Sequence, residues 1–200
     1  MILYFSKAGY YIPDAASPDA SPKLEFTSPL FRRRLSQLTK MIVQVIHDVT
    51  QAEGITDIKQ VFISKRGDIS REFSINEQLI NDGEILPAGF SLSVFNTPVA
   101  QASLALKLKS GYSVIFPSQG NIYQALQASL APVICGDEKE ILIAYGDEYI
   151  QEEYGTLRPE DNQALAFAFI ASAEKKEGWT PIEVSSLKDL SPVEILEKLK

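Results

Sequence analysis

Ser110 to Leu130 reads SGYSVIFPSQGNIYQALQASL, and it holds a place where a reactive side chain could stand. Tyr112 to Phe116 are β-branched and aromatic residues between Gly111 and Pro117, which predicts a short buried strand. Pro117-Ser118-Gln119-Gly120 is a sharp turn. Ile122, Tyr123, Leu126 and Leu130 then recur at spacings of three and four, which predicts a helix running from the turn to Leu130. A helix that opens straight after a tight turn aims free backbone N–H groups and its positive dipole end at position 119 or 120. That environment favours a thiolate or an oxyanion. The chain places Gln119 and Gly120 there. The geometry is that of a nucleophile site, and the nucleophile is missing.

Other reactive residues do not fill the gap. Ser118 would need a base, and the chain has a single histidine, His47, on a separate helix where a half-buried structural role is expected. Cys135 is the only cysteine; it falls in a Pro/Gly loop with no histidine spaced to activate it, so it reads as a structural thiol. Glu138, Glu140, Glu148, Glu152 and Glu153 read as a solvated acidic surface. No Cys/His cluster is spaced for a metal, and no motif calls for a cofactor.

Composition narrows the classes further. Two hundred residues, 45% hydrophobic and 22% charged, suffice for one globular domain with its own core, taken here as residues 1–200. The net charge of −7 argues against nucleic acid as the main partner. No apolar run approaches the ~20 residues that span a bilayer, and the N-terminus lacks the form of a secretory signal. A lone cysteine fits a reducing cytoplasm. Met1 and the lysine-rich end are those expected of a whole chain.

The elements that must position the turn follow in order. Residues 2–12 predict a first strand interrupted by Gly9, and the proline-rich residues 13–29 an extended connection. Pro29 to Glu53 predicts one long helix with the stripe Leu35, Leu38, Ile42, Val45, Ile46 and Val49, stopped by Gly54. Its opening triplet, Arg32-Arg33-Arg34, opposes the helix dipole; it reads either as a solvated basic turn or as a docking spot for an acidic partner. Gln60 to Ser64 predicts a strand, Ser74 to Asn81 a short helix, Phe90 to Phe95 a strand, and Thr97-Pro98 a capped helix start. After a loop at Pro132 and Gly136-Asp137, Glu140 to Gly146 is a continuous apolar strand. Gln163 to Ser172 alternates, with Leu165, Phe167 and Phe169 on one face. Ala164, Ala166, Ala168 and the nearby Ala171 form a thin opposite face for a close-packed helix. A strand at Pro181 to Ser186 and a helix from Ser191-Pro192 to Lys200 close the chain. The alternation predicts an α/β fold, with a mostly parallel sheet covered by helices on both faces.

Several segments carry a family resemblance. Gly111-Tyr112-Ser113, then a strand, then Ala125-Leu126 are similar to the active-site segment of β-ketoacyl synthases. Pro29 to Ser36, Phe62 to Ile69, Phe90 to Asn96 and Ile143 to Glu148 resemble further motifs of that family, in the same order. The chain thus resembles, over roughly residues 25–155, the N-terminal domain of the thiolase-fold superfamily. The resemblance implies half of a thiolase-like fold. Counted from the front, Gly120 replaces the family's cysteine; counted from the back, Gln119 does. Chain-length factors commonly carry Gln at that position, so Gln119 is preferred.

The departures shape the expected function. The family's His-Asn pair is here Phe95-Asn96, and the C-terminal half that carries the catalytic histidines has no counterpart beyond a short tail. The resemblance therefore implies a truncated, non-catalytic chain-length-factor-like subunit, paired with an active ketosynthase in polyene or fatty-acid-type biosynthesis, with aryl polyenes as the favoured context. Phe95, Asn96, Phe116, Ser118, Gln119, Gly120, Tyr123 and Leu126 would form the partner interface and tunnel gate, and Arg32, Arg33 and Arg34 would dock an acyl carrier protein. The alternatives are a carrier-protein scaffold, or a small acyl hydrolase or transferase using Ser118 or Cys135.

Overall fold

The two apolar runs near the C-terminal half become the central pair of one sheet. The computed structural model describes residues 1–151 and 162–200. Among them the strands are β1 (Ile2–Phe5), β2 (Gly9–Tyr11), β3 (Gln60–Ile63), β4 (Tyr112–Ile115), β5 (Glu140–Asp147), β6 (Leu165–Ser172) and β7 (Thr180–Glu183). Their order is β4-β3-β5-β6-β1-β7, and β2 also pairs with β6. β3 runs parallel to both β4 and β5; β5 with β6, β6 with β1 and β2, and β1 with β7 are antiparallel. The parallel part of this mixed sheet is thus the part that carries the turn.

The helices are α1 (Pro29–Arg32), α2 (Gln37–Ala52), α3 (Ile69–Asp82), α4 (Pro87–Phe90), α5 (Thr97–Leu106), α6 (Ile122–Cys135) and α7 (Pro192–Leu199). Both faces of the sheet are covered, as expected. On one, Leu38, Ile42, Val45 and Ile46 of α2 pack on Phe62, Leu142, Ala144, Ala166, Ala168 and Ile170. On the other, Ile122, Leu126 and Leu130 of α6 with Ile195 and Leu196 of α7 pack on Ile143, Phe167 and Phe169. Each fully buried aliphatic side chain contributes about 1.5–3 kcal/mol. The alanine face of β6 lets α2 sit close, and Gly146 continues it, since a Cβ there would stand 2.8 Å from the Ile42 side chain. Ala171 belongs to the opposite, phenylalanine face.

Several sequence expectations give way to local chemistry. The N-terminal strand breaks before Gly9: residues 5 to 9 on one side face only 171 to 168 on the other, a bulge in which Ser6 Oγ accepts from Ile170 N at 2.9 Å. The helix expected over 29–53 is two helices, because Ser36 turns extended and its hydroxyl caps α2 by accepting from Thr39 N. Residues 90–95 are not a strand. Pro87 starts a helical turn, and the Ser91 and Ser93 hydroxyls donate back to the Ala88 and Phe90 carbonyls, bonds that compete with a ladder. α3 begins earlier than expected, at Ile69, and ends on left-handed Gly83. α6 runs through Pro132 to Cys135, and left-handed Gly136 stops it, so Cys135 is an exposed helix residue rather than a loop one. β7 ends at Glu183, and residues 184–187 form a 3₁₀ turn.

Candidate functional site

Among the described residues β4 pairs only with β3, which leaves one side of its backbone without a strand partner there. It is not the buried strand expected: Tyr112 and Ser113 are exposed, Val114 and Ile115 half-buried, and Phe116 beyond its end is 62% exposed. Buried Pro117 then turns the chain into a single 3₁₀ turn, Ser118–Gly120. Gln119 sits at φ 52°, ψ 26°, a left-handed conformation that costs a side-chain-bearing residue about 1–2 kcal/mol. Gly120 follows at φ 72°. Asn121, not Gln119, caps α6, its Oδ1 accepting from Gln124 N at 3.2 Å. Gln119 is therefore held, exposed, on a strained turn between an edge strand and a helix N-terminus.

The residues singled out for the interface fall into three places. Phe95, Asn96 and Phe116 gather at the sheet edge: the Phe95 and Phe116 rings lie edge to face with centroids 6.2 Å apart, and Asn96 Nδ2 donates to the Tyr112 hydroxyl at 2.9 Å. Gln119, Gly120 and half-buried Tyr123 line a groove of about 460 Å³ shared with Lys65, Asp189 and Ser191. Leu126, 1% exposed, points into this chain's own core. The arginine triplet is also divided. Arg32 Nη1 donates to the Lys23 and Leu24 carbonyls, while Arg33 and Arg34 are exposed. Arg34 borders a partly apolar groove of about 450 Å³ with Phe26, Phe31 and Leu104. His47 is far from this chemistry in kind, stacked on Phe26 at 3.7 Å.

One feature of this region is invisible residue by residue and plain over length. Between Lys109 and Asp137 no Asp, Glu, Lys, Arg or His occurs. The exposed residues of α6 (Gln124, Gln127, Ala128, Ala131, Ile134 and Cys135) thus carry no charge, like exposed Tyr112 and Phe116 before the turn.

Sequence reasoning missed a second cluster, at the carboxyl ends of the parallel strands. Asp147 Oδ1 accepts from Ser64 Oγ at 2.8 Å, Lys65 N at 2.9 Å and Arg66 N at 3.2 Å, and its Oδ2 takes the Tyr145 hydroxyl at 2.5 Å. Ser64 Oγ in turn accepts from Gly67 N at 2.8 Å. One buried carboxylate therefore fixes the whole 64–67 loop, which leads to Lys65 in the turn groove and to Gly67 against Phe95. Burial, with the neighbouring Asp147 charge, holds the Tyr145 phenol well above its usual range.

Glu148 is a correction: it is 3% exposed, not part of a solvated surface. Burial first, and the Asp68 charge second, push its carboxyl up to about 7. Glu138 and Glu140 pair with Lys59 and Lys176; Glu152 and Glu153 lie outside the described residues. The signal for the cluster was available, because β3 and β5 are parallel neighbours that end together in Ser-Lys-Arg-Gly-Asp and Asp-Glu, the place where α/β sheets build sites. Among the described residues no group of three His, Cys, Asp or Glu is placed to hold a metal ion.

The sequence matches the family described as beta-ketoacyl synthase, N-terminal domain, over residues 9–193. The chain belongs to this family. The match extends beyond the motif-bearing residues 25–155 at both ends, taking in β2, β6, β7 and the start of α7. No curated protein sequence matches it.

Among solved structures it is similar to a ketosynthase (ApeO) in complex with its chain length factor (ApeC) from Xenorhabdus doucetiae, with 18% identity and a TM-score of 0.69, covering 87% of this chain and 80% of that one. It is also similar to the ishigamide ketosynthase/chain length factor, with 12% identity and a TM-score of 0.62, covering 88% and 63%. A beta-ketoacyl synthase from Burkholderia phymatum STM815 follows at 14% identity and a TM-score of 0.56, and this chain spans 46% of its length. At these identities the shared property is the fold, an α/β sheet of the thiolase-like kind with helices on both faces. No helix among the described residues is long and apolar enough to cross a membrane.

Proposed function

We propose that this chain is a non-catalytic, chain-length-factor-like subunit that pairs with an active β-ketoacyl synthase. The observation that carries the reading is Gln119. It sits on the strained turn between edge strand and helix N-terminus; in this reading it, rather than Gly120, takes the place of the family's nucleophile, and its amide can neither attack a thioester nor be activated by a base. Once a partner covers it, a Gln amide can satisfy donors and acceptors at such a place without introducing a charge. The charge-free stretch from Tyr112 to Cys135, with the open β4 edge and exposed Phe116, gives a partner somewhere to sit. Two similar structures contain a ketosynthase and a chain length factor by description, which supports the pairing. The resemblance carries the narrower assignment to polyene, and in particular aryl polyene, biosynthesis in the cytoplasm.

In this reading Phe95, Asn96, Phe116, Ser118, Gln119, Gly120 and Tyr123 face the partner or its acyl tunnel, while Leu126 supports them from within. No cofactor or metal is assigned. The test is co-expression with a ketosynthase and carrier protein, followed by analysis of product lengths. Tyr123→Ala, which opens the turn groove, should lengthen the products and leave the first condensation within a few-fold. Unchanged lengths would make the subunit a stabiliser rather than a ruler, and failure to co-purify would remove the pairing itself. A second reading, a docking module for an acidic acyl carrier protein, is favoured by exposed Arg33 and Arg34 beside their groove. Binding of carrier protein alone, lost in the Arg33→Glu, Arg34→Glu double variant, would support it.

A further inference from the structure

α3, residues 69–82, has little apolar cover. Only Ile75 of the helix is buried, and Leu79, Ile80, Leu86 and Phe90 in and after it are exposed. Polar contacts at its first turn hold it. Ser70 N donates to Glu148 Oε1 at 2.9 Å, Arg71 Nη2 donates to the Arg34 carbonyl at 2.8 Å, and Arg71 Nε lies 3.5 Å from Asp68 Oδ2. Asp68 is fully buried, and among the described residues no side chain is within good hydrogen-bond geometry of either carboxyl oxygen, the Ser36 and Thr39 hydroxyls and Arg71 being its polar neighbours. It lines a groove of about 450 Å³ together with Glu148, Ser36, Ser70 and Arg71. Two buried carboxyls at one groove repel when both are ionised, and one proton on the pair relieves the repulsion.

We propose that Asp68 and Glu148, two carboxyls at one groove, act as a coupled latch for α3, docked while the pair is singly ionised and loosened when both carry charge. Among the described residues, the groups facing the pair set its balance. Burial raises Asp68, and the Ser36 and Thr39 hydroxyls and Arg71 oppose the rise, while Glu72 adds to it. Burial and Asp68 raise Glu148, and hydrogen bonds from Ser70 and Leu38 oppose them. Asp19 borders the far side of the groove, and Asp147, next in the chain, is committed to Ser64 and Tyr145. The folded value of Glu148 lies above the ordinary 4.5, so the folded state holds the proton more tightly. The stabilisation is complete below the ordinary value and is lost as pH rises through about 7. The latch is tight in mild acid and loose above neutrality.

Hydrogen exchange by mass spectrometry on the 200-residue chain, corrected for intrinsic rates, tests this at about pH 5.5 and about pH 8.5. Peptides spanning 69–82 should open at least about ten-fold more at the higher pH, with β5 and β6 unchanged. Glu148→Gln keeps an acceptor for Ser70 N and cannot titrate, so its α3 should show no such step. An equal step in Glu148→Gln, or none in the parent chain, would overturn the latch. If the variant does not fold, carbon-13 titration of the parent carboxyls decides. Glu148 titrating near 7 supports the proposal, and all carboxyls titrating in their ordinary range ends it.

Discussion

Gly67 lies flat against the ring of Phe95: a Cβ on Gly67 would stand 2.5 Å from Cδ2 of that ring. The glycine is also left-handed, at φ 65°. The contact joins the loop fixed by Asp147 to the aromatic group at the sheet edge, so the order of the 64–67 loop and the placement of Phe95 are one property. Gly67→Ala adds a left-handed penalty of about 1–2 kcal/mol to overpacking of about 1–3 kcal/mol. A loss of roughly 2–5 kcal/mol in chemical denaturation is expected, with the midpoint falling and the slope unchanged. A change under about 0.5 kcal/mol would mean that the loop moves off the ring freely.

Asp147 should be the more sensitive position. Asp147→Ala leaves the Ser64 and Tyr145 hydroxyls and the Lys65 amide without this acceptor, and the Arg66 amide with Ser64 Oγ alone, at about 1–3 kcal/mol for each buried donor and less than the sum for all. An overall loss of about 3–5 kcal/mol is expected. Amide exchange over residues 64–68 should speed up beyond what the global loss explains. Asp147→Asn, which keeps one oxygen, should lie between the two.

Gln119→Gly should act in the opposite direction. Relief of the left-handed strain outweighs the entropy gained by the unfolded chain, and a gain of up to about 1 kcal/mol is expected in the thermal midpoint of the isolated subunit. Product-length control in the reconstituted complex should weaken at the same time if the amide faces the tunnel. A loss of stability would place a stabilising contact on the Gln119 side chain.

The alternation of β6 and the stripe of α2 were legible in the sequence because each is a long periodic pattern set by burial. So was the position of the turn, marked by Gly111, Pro117 and Gly120. The break at Ser36 was not, because a single hydroxyl cap interrupts a stripe whose spacing continues across it. Phe90 to Phe95 alternates like a strand, yet Pro87 and the serine hydroxyls bond the backbone locally. Glu148 reads as one more surface acid in a run of acids. Only its position after a strand buried on both faces shows that it is inside, and that follows from the pairing of β5 with β3 and β6.

Condensing activity should be absent from the purified chain, and Gln119→Cys should not create it. A thiolate at that turn would still lack a base, since His47 is committed to the stack on Phe26. Thioester decarboxylation and carbon–carbon bond formation should stay at background in both proteins. Turnover above background by either one would overturn the reading of a subunit without chemistry.

The uncharged face offers the sharpest test of pairing. Ala131 is exposed on α6, and nothing charged stands near it in sequence from Lys109 to Asp137. Ala131→Arg at such a surface position should change the stability of the free subunit by no more than about 0.5 kcal/mol. In a complex that buries this face, the same guanidinium would be desolvated without a partner, at a cost of several kcal/mol, about the difference between nanomolar and micromolar binding. Phe116→Ala removes an exposed aromatic anchor and should cost about 2 kcal/mol or more of affinity while sparing the fold. Light scattering and titration calorimetry of the variants with the ketosynthase measure both effects. The unpaired edge of β4 supplies an independent readout, because its outward amides should exchange quickly in the free chain and slowly in the complex. Undiminished complex formation by Ala131→Arg and Phe116→Ala together, with β4 amides equally fast in both states, would move the partner to another face. Monodisperse monomer at every concentration, with no ketosynthase bound, would remove the partner altogether.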